Sequence, residues 1–179
     1  QMPDPLAINI GTTLPFSLQG QNLNIGYSTS DPQSLLNIIN DTSGIVPNTD
    51  YGFELSFLRL MKDQSNVYSN SIKTAYQYSY QDNIAYSTDQ LAQQLKIVAR
   101  LINGGLKTPV YIVKHPFSFD SHEFQVNTGS KQTGKHADNL KILSDAIFAF
   151  QQDLLRLNKA EIVAGMTFSE FGRRIKSND

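Results

Sequence analysis

Hydrophobic positions along this chain fall into short strand-like runs and longer stripes at helical spacing. Residues 5–10 (Pro-Leu-Ala-Ile-Asn-Ile) and 22–27 (Asn-Leu-Asn-Ile-Gly-Tyr) predict two short strands, joined by a segment punctuated by Gly11, Pro15 and Gly20. Asp31-Pro32 sets an N-cap before a proline at the first helical position, predicting a short helix through Leu35, Leu36, Ile38 and Ile39. After a loop from Asp41 to Asn48, a longer helix is expected from Thr49-Asp50 into the mid-seventies. Its stripe is Phe53, Phe57, Leu60, Met61, Val67, Tyr68, Ile72 and Ala75. Ser87-Thr88-Asp89 caps the next helix, whose face is Leu91, Leu95, Val98 and Ile102, and Gly104-Gly105 ends it.

The last third of the chain changes rhythm. Residues 109–114 predict a buried strand bounded by Pro116, followed by the polar cluster 119–125 and a flexible loop over 126–135. A helix beginning near His136 carries Leu140, Leu143, Ile147, Phe150, Leu154 and Leu157, a core stripe too short for a coiled coil. A second apolar run at 162–168 then predicts a strand, followed by the polar cluster 169–174. Strand, polar loop, helix, strand, polar loop is the order that places functional groups at the carboxyl ends of neighbouring parallel strands. Strands 109–114 and 162–168 are therefore expected to be adjacent or nearly so, with the 136–157 helix packed on the sheet. The fold class expected is α/β, a three-layer sandwich with a mostly parallel central sheet, and residues 1–179 are expected to form a single domain.

Composition bounds the function. With 179 residues, 40% of them hydrophobic and 17% charged, the chain has material for a core, and its surface leans on uncharged polar side chains. A net charge of −1 offers no basic field for nucleic acid. Cysteine is absent, which excludes disulfides, thiolate metal sites and cysteine nucleophiles. No run approaches the roughly 18 apolar residues of a membrane span. The chain opens on Gln1 and stops at Asp179 within a polar loop, so it is expected to be an internal part of a longer protein.

The two polar clusters carry the candidate chemistry. Asp120 and His122 are two residues apart, so in extended backbone both side chains point to one face and can reach one ion. A divalent cation such as zinc, manganese or calcium accepts carboxylate oxygen, and the first two accept imidazole as well. The competing reading has Asp120 capping a turn and His122 on the surface. Ser169 lacks a nucleophile elbow and is expected to be a turn or capping hydroxyl. Glu170 is either a site acceptor or a surface salt-bridge partner. Arg173 or Arg174 can clamp a phosphate or sulfate bidentately, against the alternative of a solvated basic loop. His115 and His136 complete a set in which all three histidines fall within 22 residues of sequence. Tyr76, Tyr78, Tyr80 and Tyr86 read either as a sugar-stacking surface or as the wet end of a helix and its loop.

These clusters, in this order and with this helix between them, resemble a family of exported bacterial proteins known mainly as a domain of unknown function. Its members end a strand with Gly-Phe/Trp-Asp-Thr-His-x-x-Gln and later carry Thr-Phe-Ser-Glu-Phe-Gly-Arg, then an Asn, then Gly-Thr-Asp-His-Gly. Residues 119–125 match the first motif with Ser121 in place of Thr, and residues 167–173 match the second without change. Asn178 fits the asparagine, and the helix with Phe150 and Asp153 and the helix from Gln90 to Ile102 fit as well. The resemblance covers residues 87–179 well and the earlier part loosely.

That family is similar to the alkaline phosphatase/sulfatase superfamily, and the resemblance implies a partial alkaline-phosphatase-like fold. It implies Asp120 and His122 as metal ligands and Glu170 and Arg173 as catalytic site residues. Neither the downstream Asp-His pair nor the upstream Gly-Gly-x-Asp-Gly strand lies within residues 1–179. The function expected is metal-dependent hydrolysis of a phosphate or sulfate ester. The alternative is a non-catalytic cell-envelope binding or scaffold protein. The expected substrate is an anionic small molecule or glycan. The expected location is periplasmic, outer-membrane-associated or secreted, with other envelope proteins as possible partners.

Overall fold

The structure, a computed structural model, describes residues 3–19, 26–38, 44–120, 125–130, 132–169 and 171–172. The chain is α/β. Its strands are β1 (Ala7–Ile10), β2 (Gly26–Thr29) and β3 (Val110–Ile112), and its helices are α1 (Asp50–Gln77), α2 (Gln90–Asn103) and α3 (Lys135–Arg156). Two compact units divide it, one of residues 1–81 with 100–113, the other of residues 82–99 with 114–179.

The first unit holds a parallel sheet of order β2-β1-β3. Ala7 pairs with both Gly26 and Val110, and Ile10 with Thr29. All four β1 residues are buried, Ile8 completely, which is the signature of a central strand covered on both faces. The one polar residue of β1 is satisfied locally. The Asn9 side-chain amide donates to the Thr13 carbonyl at 2.9 Å and to the Ser28 hydroxyl at 3.3 Å. Gly26 opens β2 because a Cβ there would stand 2.7 Å from the Leu18 side chain, so only glycine lets the preceding turn lie this close. β3 is fastened to the start of β1 by Lys107 N–H on the Asp4 carboxylate (3.1 Å) and by the Thr108 hydroxyl on the Pro5 carbonyl (2.8 Å).

Local signals place the helix starts. The Thr49 hydroxyl accepts from Gly52 N–H at 3.2 Å and opens α1, and the Asp89 carboxylate accepts from Ala92 N–H at 2.9 Å and opens α2. α2 closes with Gly105 in the left-handed region (φ 83°) while Leu106 N–H reaches back to the Leu101 carbonyl, a Schellman-type ending. Of the α1 stripe only Ile72 and Ala75 are buried, together with Ser69 near them and Gly52 in the first turn. Phe53, Phe57, Leu58 and Leu60 are each more than half exposed.

Three expectations are corrected. Residues 31–38 make one turn and no helix. The Asp31 carboxylate and carbonyl hold Gln33 and Ser34, but Asn66 of α1 takes both backbone groups of Ile38, at 2.7 and 3.2 Å. A long-range amide clamp thus outcompetes a short helix with little apolar surface to bury. The buried face of α3 is Asn139, Ala146, Ala149, Asp153 and Leu154, while Leu140 and Ile147 are nearly half exposed. Finally, residues 162–168 are not a strand of this sheet. A 3-10 turn at Ala160–Ile162 leads into extended chain with no ladder partner among the described residues.

Candidate functional site

The segment carrying Asp120 is pinned by main-chain contacts within the second unit. His115 Nδ1 accepts from Phe117 N–H at 3.2 Å and lies 2.9 Å from the Phe117 carbonyl, while its Nε2 lies 3.2 Å from the Asn139 carbonyl. The buried Asn139 side chain donates to the Ser118 carbonyl at 3.1 Å, and the Ser118 hydroxyl accepts from Asp120 N–H at 3.0 Å. Phe119 is flanked by His115 (ring centroids 4.9 Å apart) and by His136 (6.0 Å, the rings nearly perpendicular). Two histidines and one asparagine thus fix residues 115–120 against the first turns of α3. Both ring nitrogens of His115 face main-chain groups. The Asp120 side chain is exposed.

The following loop is more regular than its composition predicts. Asn127 and Ser130 form an antiparallel bridge around Gly129 (φ 81°), Asn127 N–H donates to the Thr133 carbonyl, and His136 N–H donates to the Gln125 carbonyl. Gly134, immediately before α3, has φ 120°, and a Cβ there would lie 2.8–2.9 Å from the backbone of Gln125, Val126 and Asn127. Only glycine permits this close return of the loop onto the helix start.

Of the predicted site residues, Asp120 is described, whereas His122, Glu170 and Arg173 lie outside the described residues, as does Arg174. The expected convergence of Asp120, His122 and Glu170 therefore falls outside them too. Among the described residues no group of three or more His, Cys, Asp or Glu side chains comes together. Ser169 is exposed at the end of the extended segment.

Sequence reasoning missed a buried polar centre. The Asp153 carboxylate on α3 is completely buried. Its Oδ1 accepts from Arg156 Nε and a terminal guanidinium nitrogen at 3.2 and 2.9 Å, and its Oδ2 accepts from the Tyr86 hydroxyl at 3.1 Å. The available signal was Asp153 preceding Arg156 by one helical turn while sitting between Phe150 and Leu157 of the apolar stripe. Two further tyrosines also pack on charge. The Arg100 guanidinium carbon stands 3.9 Å above the Tyr76 ring and 5.3 Å from that of Tyr80, and Arg100 donates to the Tyr76 carbonyl at 3.0 Å. Tyr78 is exposed. In the first unit the buried Tyr111 hydroxyl meets no well-formed partner among the described residues. Burial pushes its ionisation well above the ordinary phenol range, an effect the Thr108 hydroxyl partly offsets and the Asp4 carboxylate adds to.

Two open hollows lie in the first unit. One, of about 360 Å³, is lined by Asp4, Asn70, Ser71, Thr74 and Gly104 to Leu106. The other, of about 460 Å³, lies along Phe53, Glu54, Phe57 and Leu58. Among the described residues, no helix is long and apolar enough to cross a membrane. No protein-family model, no curated protein and no solved structure matches the chain.

Proposed function

We propose that this chain belongs to an exported, metal-dependent hydrolase-like domain of alkaline-phosphatase-like, three-layer architecture, acting on a phosphate or sulfate ester. The observation that carries the reading is the block Thr167 to Arg173, seven residues in the family's order, following Asp120-Ser121-His122 at the family's place. The α/β class and the parallel sheet are compatible with it, and so is the exposure of Asp120 on a segment pinned at Phe117, Ser118 and its own amide. A carboxylate and an imidazole are donors that suit zinc or manganese, and the carboxylate alone suits calcium. Asp120 and His122 would hold the ion, which supplies Lewis acidity toward the ester oxygen. Arg173 would clamp the anionic group in bidentate fashion, and Glu170 would accept a hydrogen bond or proton beside it.

The test titrates zinc, manganese and calcium calorimetrically into the protein and into Asp120→Asn and His122→Ala variants, with hydrolysis of an aryl phosphate and an aryl sulfate followed alongside. An affinity that falls about tenfold or more in each variant supports the site, since each removes one of few ligands. Binding that both variants leave unchanged, or no binding by any of the three proteins, overturns the metal reading in favour of a non-catalytic envelope protein.

A further inference from the structure

Asn139 is a buried amide on α3, 5% exposed, and its side chain donates to the Ser118 carbonyl at 3.1 Å. A leucine there would bury apolar area without the cost of desolvating an amide. That cost is offset by a bond to the main chain of Ser118, a residue that is itself exposed and could take water instead. A core amide spent on an exposed segment contributes little to the core and much to the placement of that segment.

Ser118 passes the constraint on. Its hydroxyl accepts from Asp120 N–H at 3.0 Å, a serine turn that sets the backbone on either side of Phe119. From the Asn139 amide to the Asp120 amide the path is therefore two hydrogen bonds through one residue, which uses its carbonyl for the first and its hydroxyl for the second. Every member of this relay lies in the second compact unit. Asp120 itself is exposed, so its main chain, more than packing around its side chain, decides where the carboxylate stands.

We propose that Ser118 and Asn139 are positioning residues of the Asp120 site: the Asn139 amide seats Ser118, and the Ser118 hydroxyl sets the Asp120 main chain before an ion arrives. This role rests on the metal reading given above and names what orders its carboxylate ligand. An exposed ligand loses conformational freedom when it binds an ion, and hydrogen bonds already made in the free protein reduce that loss. Groups behind a metal ligand set affinity in this way without touching the metal.

The test titrates zinc, manganese and calcium calorimetrically into the wild type and into Asp120→Asn, Ser118→Ala, Ser118→Thr and Asn139→Leu. Urea denaturation checks that each variant is folded, and hydrogen exchange reads the Asp120 amide. Ser118→Ala and Asn139→Leu should weaken the Asp120-dependent binding by about three- to tenfold, the equivalent of one lost hydrogen bond. Ser118→Thr keeps the hydroxyl and should keep the wild-type affinity, with the Asp120 amide exchanging faster in the alanine variant alone of the two. Wild-type affinity in Ser118→Ala, or in a folded Asn139→Leu, overturns the positioning role and leaves the metal reading standing. So does a Ser118→Thr as weak as Ser118→Ala, and the two serine variants decide the matter where Asn139→Leu does not fold. A wild type that binds none of the three ions, or binding that Asp120→Asn leaves unchanged, removes Asp120 as a ligand and overturns this role with it.

Discussion

The network around Asp120 can be tested as a unit by a double-mutant cycle between His115 and Asn139. Asn139→Leu keeps the buried volume and deletes the donor to the Ser118 carbonyl, which belongs to an exposed residue and can take water instead. The cost is then about 0.5–1.5 kcal/mol, the net worth of one hydrogen bond. His115→Phe keeps a ring beside Phe119 but deletes the contacts to Phe117 and to the Asn139 carbonyl, for about 1–2 kcal/mol. Both substitutions release the same stretch of backbone at residues 117–118. Once either has freed it, the second has less order left to remove. The double variant should therefore cost about 0.5–1 kcal/mol less than the sum of the singles. Urea denaturation of the four proteins, followed by circular dichroism at matched m-values, gives the cycle, and amide exchange at Phe117 and Asp120 reports loop opening. Additivity to within about 0.3 kcal/mol would show that the two residues stabilise the chain separately and would refute the idea of one anchored loop.

Three other perturbations have defined outcomes. Gly134→Ala should cost about 2 kcal/mol or more, because strain at φ 120° adds to a backbone clash, whereas Gly129→Ala, at φ 81° in open space, should cost about 1 kcal/mol. Thermal melts of the pair give the ranking, and equal losses would count against it. Asp153→Asn should destabilise by about 2–4 kcal/mol by breaking a pair whose carboxylate is fully buried and whose arginine is 27% exposed. Tyr86→Phe should cost only about 1 kcal/mol, and chemical denaturation that finds the two alike would contradict this account of the centre. The Tyr111 phenol is held above its unfolded value of about 10. Its contribution is fully present below that pH and is lost as pH rises toward the higher folded value. Tyr111→Phe should flatten the loss of stability above about pH 10, and an alkaline limb identical to wild type would rule that out.

What was legible in the sequence was local. Thr49 and Asp89 cap α1 and α2 with their own side chains, Gly105 ends α2, and β1 is as apolar as a central parallel strand must be. The elements whose state depends on distant partners were misread. Residues 31–38 carry a sound helix-start signal, yet Asn66, 28 residues beyond Ile38, takes the backbone groups a helix would need. Residues 162–168 carry a sound strand signal, and Val163 adopts strand angles, but pairing is not a property of one segment. Of the candidate site, Asp120 stands exposed after a segment whose anchors, His115 and Asn139, the sequence did not single out as its holders.

The shift of the α3 stripe has the same cause. Ranking residues by polarity selects Leu140 and Ile147 for burial, and the structure instead buries Asn139 and Asp153. Each is buried beside a partner from another part of the unit: the Ser118 carbonyl for Asn139, and the Tyr86 hydroxyl, with Arg156 one turn on, for Asp153. Paired in this way, a polar side chain no longer bears the full penalty of burial. Asn139 holds residues 115–120 and Asp153 holds the stretch before α2, so one face of α3 fastens two connecting segments of its unit. Leucine at either position would suit the stripe and fasten neither. The polar residues inside this apolar helix are thus the ones that specify how the loops around the candidate site are held.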